Sequence, residues 1–279
     1  MRWLVVALIL LVTACGGGKA TLNGNNTSLA QSRLSQAETR AAGFAKSGDY
    51  PSAARQYGEA LRIATTLENA EAIAGNAINL SIVQQWLGRD ADARAALDAV
   101  LADPRTAFSE RRKIQAELRR AIVELSSGNI GAAVIWAGQA QNRCTATSCE
   151  YAAAILNVRA QAELDSGRAA EALQLAQSAT ERSRASGNQA EMANALRTLG
   201  RARHAQGQSA AALEPLKAAL EIDREIGDPR KILADLADLT RTAEAAGDAA
   251  AAQDYRERGL AVSRAMNGAR SASEASLMR

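Results

Sequence analysis

The apolar positions of the chain are filled mainly by alanine and leucine, and they do not alternate with polar positions as in a half-buried strand. Valine and isoleucine are sparse after residue 20, and only four prolines interrupt 279 residues. Alanine has the highest helix propensity, and its small side chain lets two helix axes approach closely. The pattern therefore predicts an all-α protein whose helices pack on small side chains.

A glycine recurs at a nearly constant interval and divides the chain into six repeats. The spacings are 40, 40, 39, 40 and 40 residues, for Gly48, Gly88, Gly128, Gly167, Gly207 and Gly247. Small residues stand at fixed distances from each glycine. Five residues after it stand Ala53, Ala93, Ala133, Ala172, Ala212 and Ala252. Seven residues before it stand Ala41, Ser81, Ala121, Ala160, Gly200 and Thr240. Twelve residues after it stand Ala60, Val100, Ala140, Ala179, Ala219 and Gly259. Each glycine is expected to end a first helix, where a left-handed backbone suits glycine, and a second helix follows it.

These hairpins resemble the tetratricopeptide repeat, a helix-turn-helix unit with small residues at the two contact points. The best single match runs from Ser47 to Leu61 (SGDYPSAARQYGEAL), and another comprises Leu196, Leu199, Gly200, Gly207, Ala212 and Ala219. Repeats three and four match less well, because the aromatic positions of the family are mostly missing. The period exceeds the usual length of about 34 residues and resembles a long variant with an extended second helix. Turn signals at 186–188 and 227–229 agree with that variant. The resemblance implies a right-handed α-solenoid of about six hairpins over residues 31–265.

The N-terminus has a separate pattern. Arg2 precedes an apolar stretch of about ten residues, too short to span a bilayer, which needs ~20, and typical of a secretory signal. The sequence Val-Thr-Ala-Cys that ends at Cys15 resembles the lipobox of bacterial lipoproteins. That resemblance implies a signal peptide over 1–14 and a Cys15 that carries acyl chains such as palmitate; the alternative is a chance cysteine. Gly16 in place of aspartate favours the outer membrane in that family. Residues 15–30 are predicted to be a flexible linker.

Cys144 and Cys149 lie between the third and fourth repeats. A secreted protein can oxidise such a pair, and closing so short a loop stabilises a fold by ~2 kcal/mol. The alternative is a redox or metal pair, which the four-residue gap and the lack of a nearby histidine disfavour. The sequence therefore favours a structural disulfide.

Composition and charge exclude several classes of function. The net charge of +3 is too small to indicate nucleic-acid binding. The single histidine, His204, has no cysteine nearby, and we find no catalytic, metal or cofactor motif. Glu110–Lys113 begins the densest charge run; it is read as a solvated helix face or, alternatively, as a patch for an acidic partner or lipid headgroups. We therefore expect no enzyme activity and no cofactor.

The family resemblance implies that first-helix residues face a concave groove that binds partners. Positions counted from the repeat glycines give a candidate set that is apolar in repeats two and three, mixed in repeat four, and basic in repeats five and six. These residues are Ile78, Ile82, Leu118, Ile122, Leu125, Gln161, Arg197, Arg201, His204 and Arg241. A peptide with an apolar and an acidic stretch would fit this set. A shift of one residue turns a helix by about 100° and would place the Ile and Leu in the core instead, so both registers stay open.

The sequence thus favours a non-catalytic interaction scaffold, tethered by lipid at Cys15 and facing the periplasm, that binds another envelope protein or peptide. A pilotin-like assembly factor for a pilus or secretion pore is a more specific alternative. A glycan- or peptidoglycan-related envelope enzyme or sensor is an alternative of another class, which an aromatic cleft with paired carboxylates would favour. The sequence leaves the oligomeric state open. Residues 266–279 lack a periodic apolar face and are predicted to be a frayed tail.

Overall fold

A computed structural model of the chain describes residues 28–104, 107–144 and 149–277, with side chains up to residue 266. Every regular element in these ranges is an α-helix. The helices are α1 (Leu29–Ser47), α2 (Tyr50–Thr66), α3 (Ala70–Trp86), α4 (Asp90–Leu101), α5 (Glu110–Ser126), α6 (Ile130–Cys144), α7 (Ala152–Asp165), α8 (Ala169–Ser186), α9 (Gln189–Ala205), α10 (Ser209–Ile226), α11 (Pro229–Ala245) and α12 (Ala249–Leu277). The predicted signal peptide and Cys15 lie outside the described residues.

The repeat glycines form the turns of six helical hairpins. All six have φ between +72° and +82°, a left-handed conformation that glycine adopts without a steric penalty. The alanines five residues further on are at most 2% exposed, because they face the first helix of their own hairpin. The predicted all-α solenoid of six hairpins is therefore confirmed.

The two helices of each hairpin belong to different layers. Among the first helices, α3 packs against α5, α5 against α7, α7 against α9, and α9 against α11. The second helices of the described chain pack mainly against the first helices before and after them. Because helices approach one another more closely on the inside of a curve, the first helices line the concave face.

In the fourth and fifth hairpins, long second helices account for the 40-residue period, whereas α4 has only 12 residues. Helices α8 and α10 each contain 18 residues and end at glycines in the left-handed region, Gly187 and Gly227. Pro229 then starts α11 at a position where a helix needs no N–H donor, and the Asp228 carboxylate accepts from the amides of the first turn. None of the described helices is both long and apolar enough to cross a bilayer.

The boundaries differ from the prediction at both ends. Helix α1 begins at Leu29, two residues early, because Ser28 Oγ accepts from the Gln31 amide at 3.1 Å and caps it. Helix α12 continues to Leu277, where the sequence predicted a frayed tail from residue 266. The segment contains no proline, so every residue in it keeps the backbone N–H that a continuing helix needs.

The connection between the third and fourth hairpins contains a disulfide. Cys144 ends α6 and is bonded to Cys149, with the two Cα atoms 5.3 Å apart. Tyr151 follows, and its hydroxyl accepts from Gln115 Nε2 at 2.7 Å on α5. The disulfide and this hydrogen bond together fix the point at which the repeat spacing falls to 39 residues.

Candidate functional site

A polar pocket lies on the concave face between α1 and α3. Its volume is about 480 Å³, within the usual range of ligand pockets. The floor is formed by Leu34 and Tyr57, which are both nearly buried. The walls carry amide and charged side chains: Gln31, Glu38, Asn69, Glu71, Asn76, Asn79 and Arg112. The pocket is therefore a recess lined by both polar and apolar side chains.

Four side chains set the chemistry of the pocket floor and wall. Asn76, 2% exposed, donates from Nδ2 to Glu38 Oε1 at 2.7 Å and to the Ala72 carbonyl at 2.8 Å. Burial raises the pKa of Tyr57, and the negative charge of Glu38 raises it further, so this phenol stays protonated. Asn79, one turn along α3, is exposed. Together these groups offer both donors and acceptors, as the backbone of an extended peptide requires.

An ion pair closes one end of the pocket. Arg112 at the start of α5 donates from Nε to Glu71 Oε2 on α3 at 2.7 Å. The hydrogen bond from Arg112 lowers the pKa of Glu71, and a second bond from Ser109 adds to the effect. The charge run that begins at Glu110 includes Arg112, so part of that run joins neighbouring repeats rather than facing solvent alone.

The apolar residues predicted for the groove are divided between the core and the surface. Leu118 is 7% exposed and lies in the hydrophobic core, with Ile122 and Leu125 packed against the same cluster. Ile78 packs against the core between the first two hairpins. Ile82 is half-buried. Leu118 is thus removed from the candidate set, because its side chain already fills the interior.

The basic half of the predicted groove is neutralised within the protein. Arg197 is 8% exposed and donates to the carboxylates of Asp223 and Asp235. It is therefore not available as a surface cation, which corrects the prediction.

Arg201 and Arg241 share one buried acid. Arg201 Nε donates to Asp238 Oδ2 at 2.6 Å, Arg241 donates to the other oxygen, and Asp238 is 2% exposed. Arg201 also reaches Gln161 Oε1 at 3.2 Å, so these two predicted residues do lie together on adjacent first helices. His204 is half-buried, with Nδ1 3.1 Å from Ser209 Oγ.

Asp223 and Asp235 form a carboxyl pair that is sealed from solvent. Both are 0% exposed. Burial raises the pKa of Asp235 to about 6; Arg197 opposes the shift, and the Asp223 carboxylate adds to it. A substrate could not reach either group, so the pair does not make the carboxylate site that a glycan-cleaving enzyme needs. Within the described ranges, no cluster of three His, Cys, Asp or Glu side chains could hold a metal ion.

Sequence reasoning missed the residues of the pocket. Asn76 and Asn79 lie on α3, one turn apart and displaced around the helix from the predicted Ile78 and Ile82. A visible signal was present, because two asparagines interrupt the otherwise apolar segment AIAGNAINLSIV. Glu38 gave no such signal, since it is one of many acids on helix surfaces.

Comparison with known proteins relates the hairpins to one family. Residues 151–225, which span α7 to α10, match the Tetratricopeptide repeat family. The sequence matches no curated protein. The match includes the fourth hairpin, which the sequence ranked among the weaker ones, and not the first, which it ranked best.

Solved structures share the fold at low identity. A Rap protein complexed with Competence and Sporulation Factor has a TM-score of 0.71 at 16% identity, over 88% of this chain and 68% of that chain. A second similar structure is that of a Signal Transduction ATPase with Numerous Domains (STAND) protein with a tetratricopeptide repeat sensor, from Pyrococcus horikoshii. Its TM-score is 0.60 at 16% identity, and the alignment covers 88% of this chain and 37% of that chain. BtubC (BKLC) from P. vanneervenii has a TM-score of 0.56 at 17% identity, over 86% and 93%.

Likeness at these identities shows the fold alone, and the fold is one whose concave surface serves protein–protein interaction. Residues 151–225 match the family directly, and the hairpins on either side repeat the same turns and small contact positions. Residues 151–225 therefore match the tetratricopeptide repeat family, and the described chain is an all-α solenoid of hairpins with the same turns.

Proposed function

We propose that this chain is a lipid-anchored, non-catalytic scaffold of the bacterial envelope. It holds an extended segment of a partner protein against the pocket between α1 and α3. The observation that carries the proposal is the constellation of Glu38, Asn76, Asn79 and Tyr57 on the concave face, around a cavity of about 480 Å³. Amide groups bind the N–H and C=O of an extended backbone, and the Glu38 carboxylate favours a basic side chain or a free amide donor.

The envelope location is supported by the lipobox-like residues that end at Cys15 and by the Cys144–Cys149 disulfide. Disulfides persist in oxidising compartments such as the periplasm. Acyl chains at Cys15 would hold the chain at the membrane, because each buried CH₂ contributes about 0.8 kcal/mol. Gly16 favours the outer membrane, and the predicted linker after Cys15 provides the reach between the lipid and the solenoid, whose first helix begins at Leu29.

Changing Cys15 to serine tests the anchor. The serine variant is expected to move from the membrane fraction to the soluble periplasmic fraction, because a hydroxyl cannot take up the thioether-linked lipid. Cell fractionation with mass analysis of the mature N-terminus measures both effects, and a Cys144→Ser/Cys149→Ser double variant, which keeps the N-terminus, is the control. A serine variant that stays with the membrane, or a wild-type Cys15 without lipid mass, would remove the anchor from the proposal.

Changing the pocket tests partner binding. A photo-crosslinking residue at position 79 is expected to form an adduct in the envelope, and one at Gln139, exposed on the second helix α6, is not. In the same assay, Glu38→Gln with Asn79→Ala should lower partner capture by about 5- to 10-fold, because it removes one charge-assisted and one neutral hydrogen bond. Glutamine at position 38 can still accept from Asn76, so the fold is preserved. Equal capture by this variant and by a Gln139→Ala variant would place the partner elsewhere.

A further inference from the structure

The guanidinium of Arg230 is stacked on an aromatic pair from the opposite end of the chain. Its Cζ atom lies 3.7 Å from the ring centroid of Trp86 and 5.5 Å from that of Tyr50. The two rings are 5.0 Å apart and tilted by 54°. A cation this close to an indole face interacts favourably with the ring quadrupole.

The contact joins the first two hairpins to the sixth. Tyr50 starts α2 and Trp86 ends α3, so both lie at the edge of the solenoid that carries the hairpin turns. Arg230 lies in the first turn of α11, at the opposite edge. A 17-residue helix is about 25 Å long, so the arc must rise by roughly that length between these hairpins. The solenoid thus completes a superhelical turn and closes on itself here.

The position of Arg230 does not serve its own helix. A positive charge at a helix N-terminus is opposed by the helix dipole. The nearest acid on the same segment, Asp228, is already the N-cap and lies 3.8 Å from Arg230 Nε. Arg230 Nη1 is buried without a hydrogen-bond partner. The stacking on the two rings therefore holds the guanidinium in place. The helix dipole and the unsatisfied Nη1 donor both oppose this contact, so another cation can displace it.

We propose that Tyr50 and Trp86 form a guanidinium-binding site, which Arg230 fills within the same chain. An arginine side chain of a bound partner takes the site in exchange, and the release of Arg230 then opens the superhelix. The site is thereby linked to access to the concave face.

This proposal rests on the proposed function, which places the partner segment in the pocket between α1 and α3. Trp86 lies seven residues beyond Asn79 on α3, which is about 10 Å along the helix. Roughly three residues of an extended chain cover that distance. A partner segment bound in the pocket can therefore place an arginine, about three residues further along, at Tyr50 and Trp86. A glutamate or leucine at the same position would make no cation–π contact with these rings.

A distance measurement tests the closed contact. Spin labels are attached to Lys46→Cys and Glu225→Cys, two exposed positions on either side of the contact. The Cys144–Cys149 disulfide is kept oxidised, and Cys15→Ser removes the remaining native thiol, so that only the two new cysteines are labelled. In Arg230→Ala the label distance is expected to become longer and broader. Arg258→Ala is the matched control, because its guanidinium lies 5.5 Å from the Tyr255 ring on the same helix. An unchanged distance in Arg230→Ala would overturn the contact as a closing device.

A small probe tests the binding site without the partner. N-acetyl-arginine amide is titrated while the indole N–H resonance of Trp86 is followed, with the citrulline analogue as the neutral control. Arg230→Ala should bind the arginine probe about two- to fivefold more tightly than the wild type, because its internal competitor is gone. Trp86→Leu, which keeps apolar bulk, should abolish that gain. Equal responses to arginine and citrulline, or unchanged affinity in Arg230→Ala, would refute the site. Unchanged partner capture in the Glu38→Gln/Asn79→Ala experiment alone would refute only the proposed function.

Discussion

Replacement of Arg197 with alanine is expected to lower the free energy of unfolding at pH 7 by about 3–5 kcal/mol. Arg197 is 8% exposed, and it is the cation that contacts both Asp223 and Asp235, which are 0% exposed. Without the guanidinium, two carboxylates remain in the interior with no counter-charge from this position. Denaturant unfolding followed by circular dichroism measures the loss.

The same substitution should have a distinct pH dependence. The pKa of Asp235 is raised from 3.8 to about 6 by burial and by Asp223, while Arg197 opposes that shift. The folded chain therefore holds a proton between about pH 4 and pH 6 that the unfolded chain releases. The stability contributed by this group is present at low pH and is lost as the pH rises through about 6. Removing Arg197 raises the pKa of Asp235 further, so the variant should recover part of its stability at pH 5.

Two controls separate this effect from a general loss of packing. Adding Asp235→Asn to Arg197→Ala should restore part of the lost stability at pH 7, because one of the stranded charges is removed. Arg256→Ala, which breaks an ion pair to Glu244 that is about half exposed on each side, should cost at most about 1 kcal/mol. If Arg197→Ala lost no more than Arg256→Ala at every pH, the buried cluster would not contribute to the fold.

The solenoid could be predicted because its determinants are local and repeated. The turn glycines all have positive φ, and the small columns are buried at the crossings of the hairpin helices. Both features depend on residue size and backbone freedom, which a sequence displays directly. Because the pattern occurs six times, it remains recognisable despite single exceptions such as Thr240, a larger residue seven positions before its glycine.

The groove could not be predicted as well, because it depends on the rotation of each helix. Glu117 and Glu124 are charged, yet they lie on α5 at positions that the tetratricopeptide register assigns to the core. Both are 4% exposed; Glu117 Oε1 accepts from Arg143 of α6, and Glu124 Oε1 accepts from Arg94 of α4 and from Arg120 of its own helix. Burial raises the pKa of Glu124, but hydrogen bonds from Arg94 and Arg120 outweigh it and hold the pKa at about 2. Charged side chains can thus replace apolar ones in a core built from alanine, and the apolar pattern alone does not fix the concave face.

Contacts between distant hairpins gave no signal in the sequence. Arg230 and Trp86 are separated by more than three repeats and lie at opposite edges of their hairpins. Their proximity depends on the accumulated rise of the solenoid, which small angles at every interface determine together. The pairing of Arg197 with Asp235 is different, because their separation of 38 residues is close to one repeat.

Gly200→Ala is expected to destabilise the fold by about 3 kcal/mol. Gly200 occupies the seven-before position of the fifth hairpin, where α9 crosses α10. A Cβ atom at this place would lie 2.5 Å from Leu216 Cγ and 2.8 Å from Leu216 Cδ2. It would also lie 3.1 Å from the Ala212 carbonyl oxygen. Leu216 is 0% exposed within a cluster that includes Leu220, so it has no free volume to move into.

The other hairpins carry alanine, serine or threonine at this position, and α10 explains the difference. Pro215 lies inside α10 and has no N–H, so the Ala211 carbonyl lacks its usual partner within the helix. Arg203 on α9 donates to that carbonyl at 3.0 Å. This bond joins the two helices beside the crossing and keeps them from separating to admit a methyl group.

Gly58→Ala is the matched control for Gly200→Ala. Gly58 lies within α2, has no positive φ, and has nothing within 4 Å of the position a Cβ would take. The same chemical change there should raise the free energy of unfolding by about 0.5–1 kcal/mol, because alanine is the better helix former. Gly200→Ala has the same gain in helix propensity, but the free-energy cost of steric overlap with Leu216 is several times larger. The unfolding temperature should therefore rise in Gly58→Ala and fall in Gly200→Ala. If both raised the unfolding temperature, close helix crossing at the small columns would not be what holds the hairpins together.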